Sequence, residues 1–435
     1  MSGRAATEAS LPEAWDERRP WLKNDRNETR WCLSMFLGCS VGPGLLVTLA
    51  DTDAGGIFTA GQDGAAWGYS FVLWEALMIP IIFVSQDLTA RLGVYAKKGL
   101  VACIHEKFGP VMAWFAAVCL VIECTFAVMA ELSGIVAVAQ LWGADRLIAT
   151  LVAAGVLIGT LVMFTYRQVE IIGVLLAFFT LSFVVSMFVL HPSPAEVIKG
   201  SLQLHPQDQQ WMMLVAANVG AAVVPWMVFF QQSAVAARSL DGVQDLAKER
   251  MLTAIGSFLT QIITIAATVS VAATAGMRQN LVGIQDFVHV MEPELGQLLS
   301  KIVVSAAFLG GSICASFVVV LAPAWAILEA SESDARLAMD LSVREAPVFY
   351  AIFVGVVMIA VGVLVTGVQL VQLNIYIELL DAMFLPFSLL MVFMIAMTDY
   401  LPPKERLAGR YKWILAVIFS LVSAISLVSG ISGLI

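Results

Sequence analysis

The chain has 435 residues, 60% hydrophobic and only 13% charged, with a mean hydropathy of +0.87 and a formal net charge of −9. Soluble domains carry roughly 25% charged residues, so the composition excludes a soluble globular protein and defines one that crosses a membrane repeatedly. No basic patch lies outside the short connecting segments, which speaks against nucleic acid as a partner.

Residues 1–31 are polar and hold Arg4 to Arg30, so they read as a cytosolic tail and not as a cleaved signal peptide. Eleven apolar stretches follow, at 32–65, 67–90, 109–142, 147–166, 171–190, 210–235, 253–276, 302–329, 346–366, 371–397 and 413–433. Each is long enough to cross a hydrocarbon core about 30 Å thick. With the N-terminus inside, only Arg146, Lys199, Arg278 and Lys301 of the 24 Lys and Arg fall on the outer side. The positive-inside rule therefore predicts a cytoplasmic N-terminus and an external C-terminus in a cell's cytoplasmic (inner) membrane.

The first span contains "LADTDAGGIFTAG", Leu49 to Gly61, which places Asp51, Asp53 and the Gly55-Gly56 pair inside an apolar crossing. Together with Gly42-Pro43-Gly44 it interrupts one helix twice. The sixth span carries a second interruption at Pro225, which lacks the amide that a continuous helix needs. Backbone groups freed in this way are tolerated in hydrocarbon only where they line a cavity or are buried in protein. Paired interruptions at matching places in two halves point to a secondary transporter built from inverted repeats, with its site near the midplane. The predicted fold is therefore all-α, with eleven transmembrane helices in an inverted 5+5, leucine-transporter-like arrangement, helices 1 and 6 discontinuous and an eleventh added. The domain reading is a tail at 1–31, repeats at 32–200 and 201–400, and the added helix at 401–435.

Buried acids are the chemistry-bearing residues. Asp53, beside the break, reads as the charge that meets an ion, with a helix-cap role as the alternative. Asp51 points away from it at helical spacing, toward a vestibule or a structural donor. Glu378 and Asp381 share a face of span 10, where Glu378 either completes a cation site or pairs with backbone donors. Glu131 in span 3 is a candidate for a permeation or proton path, and Glu75 and Asp87 read as structural acids. All four His (105, 191, 205 and 289) fall between spans, so none relays protons within them. The six Cys form no C-x-x-C pair and read as free thiols, and the 19 Met look like ordinary packing. There is no phosphate-binding P-loop, serine elbow or zincin motif, so neither ATP-driven transport by this chain alone nor an enzyme is expected. No cofactor is expected beyond a transported ion, and the partners are divalent metal ions and the lipid bilayer, with the chain acting as a monomer.

The run "ADTDAGGIFTAGQDGAAWGYSFVLW" resembles the first-helix signature of the Nramp divalent-metal transporters, in which Asp-Pro-Gly-Asn precedes a Thr and an Ala-Gly…Gly-Tyr…Leu-Trp run. "FTYRQVE" (164–170) and "LPF" (385–387) resemble further patterns of that family, so the similarity extends over nearly the whole span region. The resemblance implies a metal site formed by Asp53, Gly56 and Glu378, by backbone carbonyls near Ala50 and Ala221, and by Val224 at the second break.

The departures from the family pattern are informative. Gly56 stands where the family has a ligating Asn, Val224 and Trp226 replace a Met and a His, Gln231 replaces a second His, and Val128 replaces an acid that partners the Glu matching Glu131. A soft thioether favours Mn²⁺ and Fe²⁺ over hard cations. Its loss leaves a roomier, all-oxygen site that suits Mg²⁺, which dehydrates reluctantly and keeps several waters. The pattern is similar to the Nramp-related magnesium transporters of prokaryotes, and it implies carriage of Mg²⁺ and Mn²⁺ without protons. A proton-coupled Mn²⁺/Fe²⁺ importer is the alternative.

Overall fold

The computed structural model describes residues 42–434, apart from 239, 241, 275–279, 334–337 and 367–369. The helices are α1 (Pro43–Ala50), α2 (Ala54–Trp67), α3 (Val72–Ala96), α4 (Leu100–Phe108), α5 (Pro110–Leu141), α6 (Arg146–Met163), α7 (Tyr166–Ala177), α8 (Ser182–Leu190) and α9 (Pro194–Ser201). They continue with α10 (Gln209–Ala222), α11 (Pro225–Ala237), α12 (Gly242–Thr274), α13 (Ile284–Leu295), α14 (Gln297–Ala330), α15 (Pro347–Leu364), α16 (Leu370–Ala396) and α17 (Gly409–Leu434). No strand occurs among the described residues.

Among the described residues ten helical stretches are long and apolar enough to cross a membrane, with α7–α8 and α10–α11 each counted as one. The interrupted pair α1–α2 supplies the first of the eleven expected spans, although 32–41 lie outside the described residues. A 3₁₀ turn at Phe178–Leu181 joins α7 to α8, and α12 begins eleven residues before the expected start of span 7. Two of the histidines expected in loops, His105 and His289, instead sit on the short helices α4 and α13. Cys103, Cys119, Cys124 and Cys314 are free, as expected, while Cys32 and Cys39 lie outside the described residues.

Spans form helices here because lipid offers backbone groups no partner other than their own chain. Large apolar side chains such as Val111, Phe115, Val152 and Phe188 point outward as a lipid-facing surface. The inward faces are closely packed: α5 lies along α14, α12 along α2 and α3, and α10 along α16 and α17. Close approach depends on small residues, as is usual between membrane helices. A side chain at Gly311 of α14 would overlap the carbonyl of Thr52 at the first break, and one at Gly220 of α10 would overlap the carbonyl of Glu378 on α16. Two aromatic clusters fill parts of the interior. Phe58 packs against Phe308 and Phe287 at ring separations of 4.6 and 5.6 Å, and Phe230 packs against Trp325 and Tyr166 at 5.3 and 6.4 Å.

Candidate ion site at the two helix breaks

The first break is built from hydrogen bonds that stop one helix and start another. The amide and hydroxyl of Thr52 both donate to the carbonyl of Leu49, at 3.2 and 2.7 Å, which closes α1. Asp53 then turns extended (φ −83°, ψ −176°), and its Oδ1 accepts from the amide of Gly56 at 2.7 Å, capping α2. Such a cap contributes about 1 kcal/mol. The cap is thus part of what Asp53 does, but a carboxylate that accepts with one oxygen keeps the lone pairs of the other. The next freed amide, Ala54, donates to Glu131 Oε2 at 3.3 Å. At the far end of α1 the amide of Gly44 donates to Glu249 of α12.

The second break follows the same logic. α10 ends at Ala222, Val223 leaves the helical region (φ −134°, ψ 73°), and Val224 is extended before Pro225 opens α11. Proline suits this first helical position because its missing amide would have no partner there. The next amide, Trp226, donates to Glu123 Oε1 at 3.0 Å. Both acids of α5 therefore cap broken helices, Glu131 at α2 and Glu123 at α11. Eight residues separate them, about 12 Å along the helix, so α5 spaces the two half-helix starts. Sequence reading offered Glu131 for a permeation or proton path; the structure places it at the break, adjoining Asp53. Helical-wheel angles along α5 do not reveal what faces it across the interface.

α16 completes the arrangement. Glu378 sits against Gly55, where an added Cβ would be 3.0 Å from its Cδ. It lies in electrostatic reach of Asp53, Asp381, Glu131 and Asp51, and Asp381 in reach of Glu123 and Asp53. All six acids are buried. Oε2 of Glu378 and Oδ1 of Asp381 have no hydrogen-bond partner. Among the described residues no three His, Cys, Asp or Glu converge closely enough to hold a metal ion directly. Gly56 contributes no side chain, and Val224 and Trp226, both buried, bring no soft or imidazole donor. Such a constellation can neutralise a cation through its water shell, with oxygen donors only. Ala50 is buried at the end of α1, and Ala221 lines a cavity beside the break together with Asp51 and Gly56.

Gln231 does not join the site. It lies within α11, held between Thr89 (3.0 Å) and Thr253 (3.2 Å). Next to it in α11, Phe230 packs against Trp325, which packs against Tyr166, and Glu170 pairs with Arg167 and Arg238 (2.7 and 2.8 Å). Asp87 is a structural acid as expected, paired with Arg91 and with Arg250 at 2.6 Å. Glu75 is only half satisfied: Oε1 accepts from Thr268 at 2.5 Å, while the buried Oε2 has no partner. Sequence reading also missed a polar corridor in which Asp63 meets Asn218 (2.6 Å) and Gln62 meets Asn280 (3.0 Å). An acid at position 63, inside an apolar span, was the available signal.

The fold defines a multi-span helical transporter with two interrupted helices. The chain superimposes on a solved transporter of the nucleobase-cation-symport-1 family, Mhp1, with a TM-score of 0.54, 13% identity and 91% of each chain covered. It superimposes more fully on a manganese transporter of Eremococcus coleocola, with a TM-score of 0.73, 16% identity, 90% of this chain and 86% of that one. The family model described as natural resistance-associated macrophage protein-like, Nramp, matches residues 44–432, and the chain belongs to that family. Among sequence relatives, a divalent metal cation transporter MntH of Chromohalobacter salexigens is 24% identical over 302 residues, 66% of this chain and 69% of that protein. A protein of the same name from Klebsiella pneumoniae is 27% identical over 200 residues, 44% of this chain and less than half (48%) of its relative.

Proposed function

We propose that the protein carries divalent metal ions across the membrane by alternating access, and that Mg²⁺ and Mn²⁺ are its substrates. Family membership and relatives described as divalent metal cation transporters support the broader statement. Selectivity rests on one observation: Asp53 and Glu378 face the first break while Gly56 and Val224 leave it without any amide or thioether ligand. A stripped Mn²⁺ gains from a soft donor, whereas Mg²⁺ binds through one or two carboxylates and retains water. Removing the soft donor while keeping the carboxylates narrows the gap between them.

The ion is proposed to sit largely hydrated between α1–α2 and α10–α11, near the carbonyls of Ala50 and Ala221. Transport is proposed to be uncoupled from protons. The spans of this chain contain no His, and Val128 replaces the acid that would pair with Glu131. An inside-negative potential contributes about 2.3 kcal/mol per charge per 100 mV, twice that for a divalent ion, enough for uptake without a second ion. The Lys and Arg distribution supports a cytoplasmic N-terminus and external C-terminus in the cytoplasmic membrane, and the carrier is proposed to work as a monomer. Mn²⁺ uptake into liposomes, with Mg²⁺ as competitor and a trapped pH dye, tests selectivity and coupling together.

A further inference from the structure

The last crossing, α17, begins in positive charge that the ion site does not use. Between Tyr400 and Trp413 the chain carries Lys404, Arg406, Arg410 and Lys412 against a single acid, Glu405. That acid is already engaged: its carbonyl accepts from Arg91 at 3.2 Å, and its carboxylate lies 3.8 Å from Arg91 and 4.0 Å from Arg250. The neighbouring acids are engaged as well, Asp399 with Lys107 and Glu106 with Lys98 and Tyr400. Arg406 gives its guanidinium to the carbonyl of Leu401, at 3.1 and 3.3 Å. Lys404, Arg410 and Lys412 are left without an ion pair among the described residues, and Lys404 and Arg410 are exposed.

The charge runs directly into apolar surface. Of the ten candidate crossings among the described residues, α17 keeps the smallest share of itself inside the protein. Arg410, Ile414, Val417, Leu421 and Val428 are all exposed, and at helical spacing they fall within about 40° of one line along the helix. Arg410 therefore stands at the head of a continuous apolar strip. Trp413, 67% exposed, borders that strip, and the ammonium of Lys412 lies 4.9 Å from the centre of its ring. The indole thus sits between the two cations. Aromatic residues with one wet end mark the headgroup level of a membrane, which sets Arg410 and Lys412 at the depth of lipid phosphates.

From this surface we propose that the start of α17 is a binding site for an anionic phospholipid, whose phosphate lies between Arg410 and Lys412 at Trp413 and whose chain follows Ile414, Val417 and Leu421. Two features select that occupant. Unpaired cations at headgroup depth attract negative lipids and gain nothing from zwitterionic ones, and the strip beneath Arg410 offers a surface that only an amphiphile covers. A soluble anion would use the charge and leave the strip uncovered.

Native mass spectrometry of the purified full-length protein in detergent, titrated with dioleoylphosphatidylglycerol, tests the proposal. Dioleoylphosphatidylcholine, with the same chains and no net charge, and glycerol phosphate, the headgroup anion without chains, are the comparison arms. The wild type is expected to retain phosphatidylglycerol and to release phosphatidylcholine, with glycerol phosphate unable to displace the bound lipid. Arg410→Gln combined with Lys412→Gln should weaken retention by about fivefold for each charge removed. Lys199→Gln combined with Arg344→Gln removes the same charge from exposed positions elsewhere and should behave as wild type. Phosphatidylglycerol should also raise the Tm of the wild type, by binding the folded state, and fail to raise that of the Arg410/Lys412 variant. Equal retention by that variant and the wild type would overturn the proposal, as would an equal loss in the Lys199/Arg344 control. Retention of phosphatidylcholine as strong as that of phosphatidylglycerol would make the strip a surface indifferent to charge, and displacement by glycerol phosphate would make the cations a site for soluble anions; either result rejects the anionic lipid.

Discussion

Gly55→Ala tests the contact between the first break and α16. The added methyl would stand 3.0 Å from Cδ of Glu378 and overlap its Oε1, where ordinary contact begins at 3.4 Å. Relief requires the carboxylate to retreat by about 1 Å, since repulsion rises steeply inside contact distance. The obstacle is the end of a flexible side chain and not backbone, so the helix survives. Overpacking costs about 1–3 kcal/mol, and alanine regains about 0.5–1 kcal/mol over glycine in a helix interior, leaving a net loss of at most about 2.5 kcal/mol. The functional effect should be larger than the structural one, because binding groups must be held within about 0.5 Å of their working positions. Gly56→Ala is the control: its Cβ would meet only Asp51 O at 3.2 Å and Asp53 Oδ1 at 3.3 Å, which shifts of a few tenths of an ångström relieve. In Mn²⁺ uptake by proteoliposomes, Gly55→Ala should raise KM by about tenfold or more, equivalent to about 1.4 kcal/mol, while Gly56→Ala stays within about threefold of wild type. An unchanged KM for Gly55→Ala in folded protein would refute the placement of Glu378 at the ion.

Five further outcomes are expected. Asp53→Asn should keep the cap on α2, and with it a folded protein by size-exclusion chromatography, yet lose uptake; full activity would reject Asp53 as the charge that meets the ion. Glu123→Leu orphans the amide of Trp226 and should lower stability by about 1–3 kcal/mol, measured by thermal unfolding, with Glu123→Gln much closer to wild type. Val224→Met combined with Gly56→Asn should shift preference toward Mn²⁺ over Mg²⁺ in a competition assay, and Ca²⁺, which prefers six to eight direct oxygens, should be poorly carried by the wild type. Metal influx should leave a trapped pH dye unchanged, and acidification that disappears in Glu131→Gln would instead make Glu131 a proton carrier.

Much of the architecture was legible because lipid imposes length and composition on every crossing, and because Pro225 and the Ala54-Gly55-Gly56 run interrupt otherwise helical stretches. The positions of both breaks followed from chain chemistry alone. The partners of the acids did not. Glu123 and Glu131 are read from sequence only as neighbours on one helix, yet each caps a half-helix more than 70 residues away in the chain. Glu75 was read as a satisfied structural acid; that only one of its oxygens has a partner, Thr268 of α12, is a property of the packing of α3 against α12. Gln231 was read only as the replacement of a histidine; that its partners are Thr89 of α3 and Thr253 of α12 is visible only in the packing.

The central claim is that the break is tuned for a hydrated hard ion. Uptake of Mn²⁺ into proteoliposomes containing the wild-type protein, measured against increasing external Mg²⁺, addresses it most directly. Competitive inhibition by Mg²⁺ in the millimolar range, with Mg²⁺ itself accumulating inside the vesicles, is the predicted result. Mn²⁺ uptake indifferent to Mg²⁺ at those concentrations would contradict it.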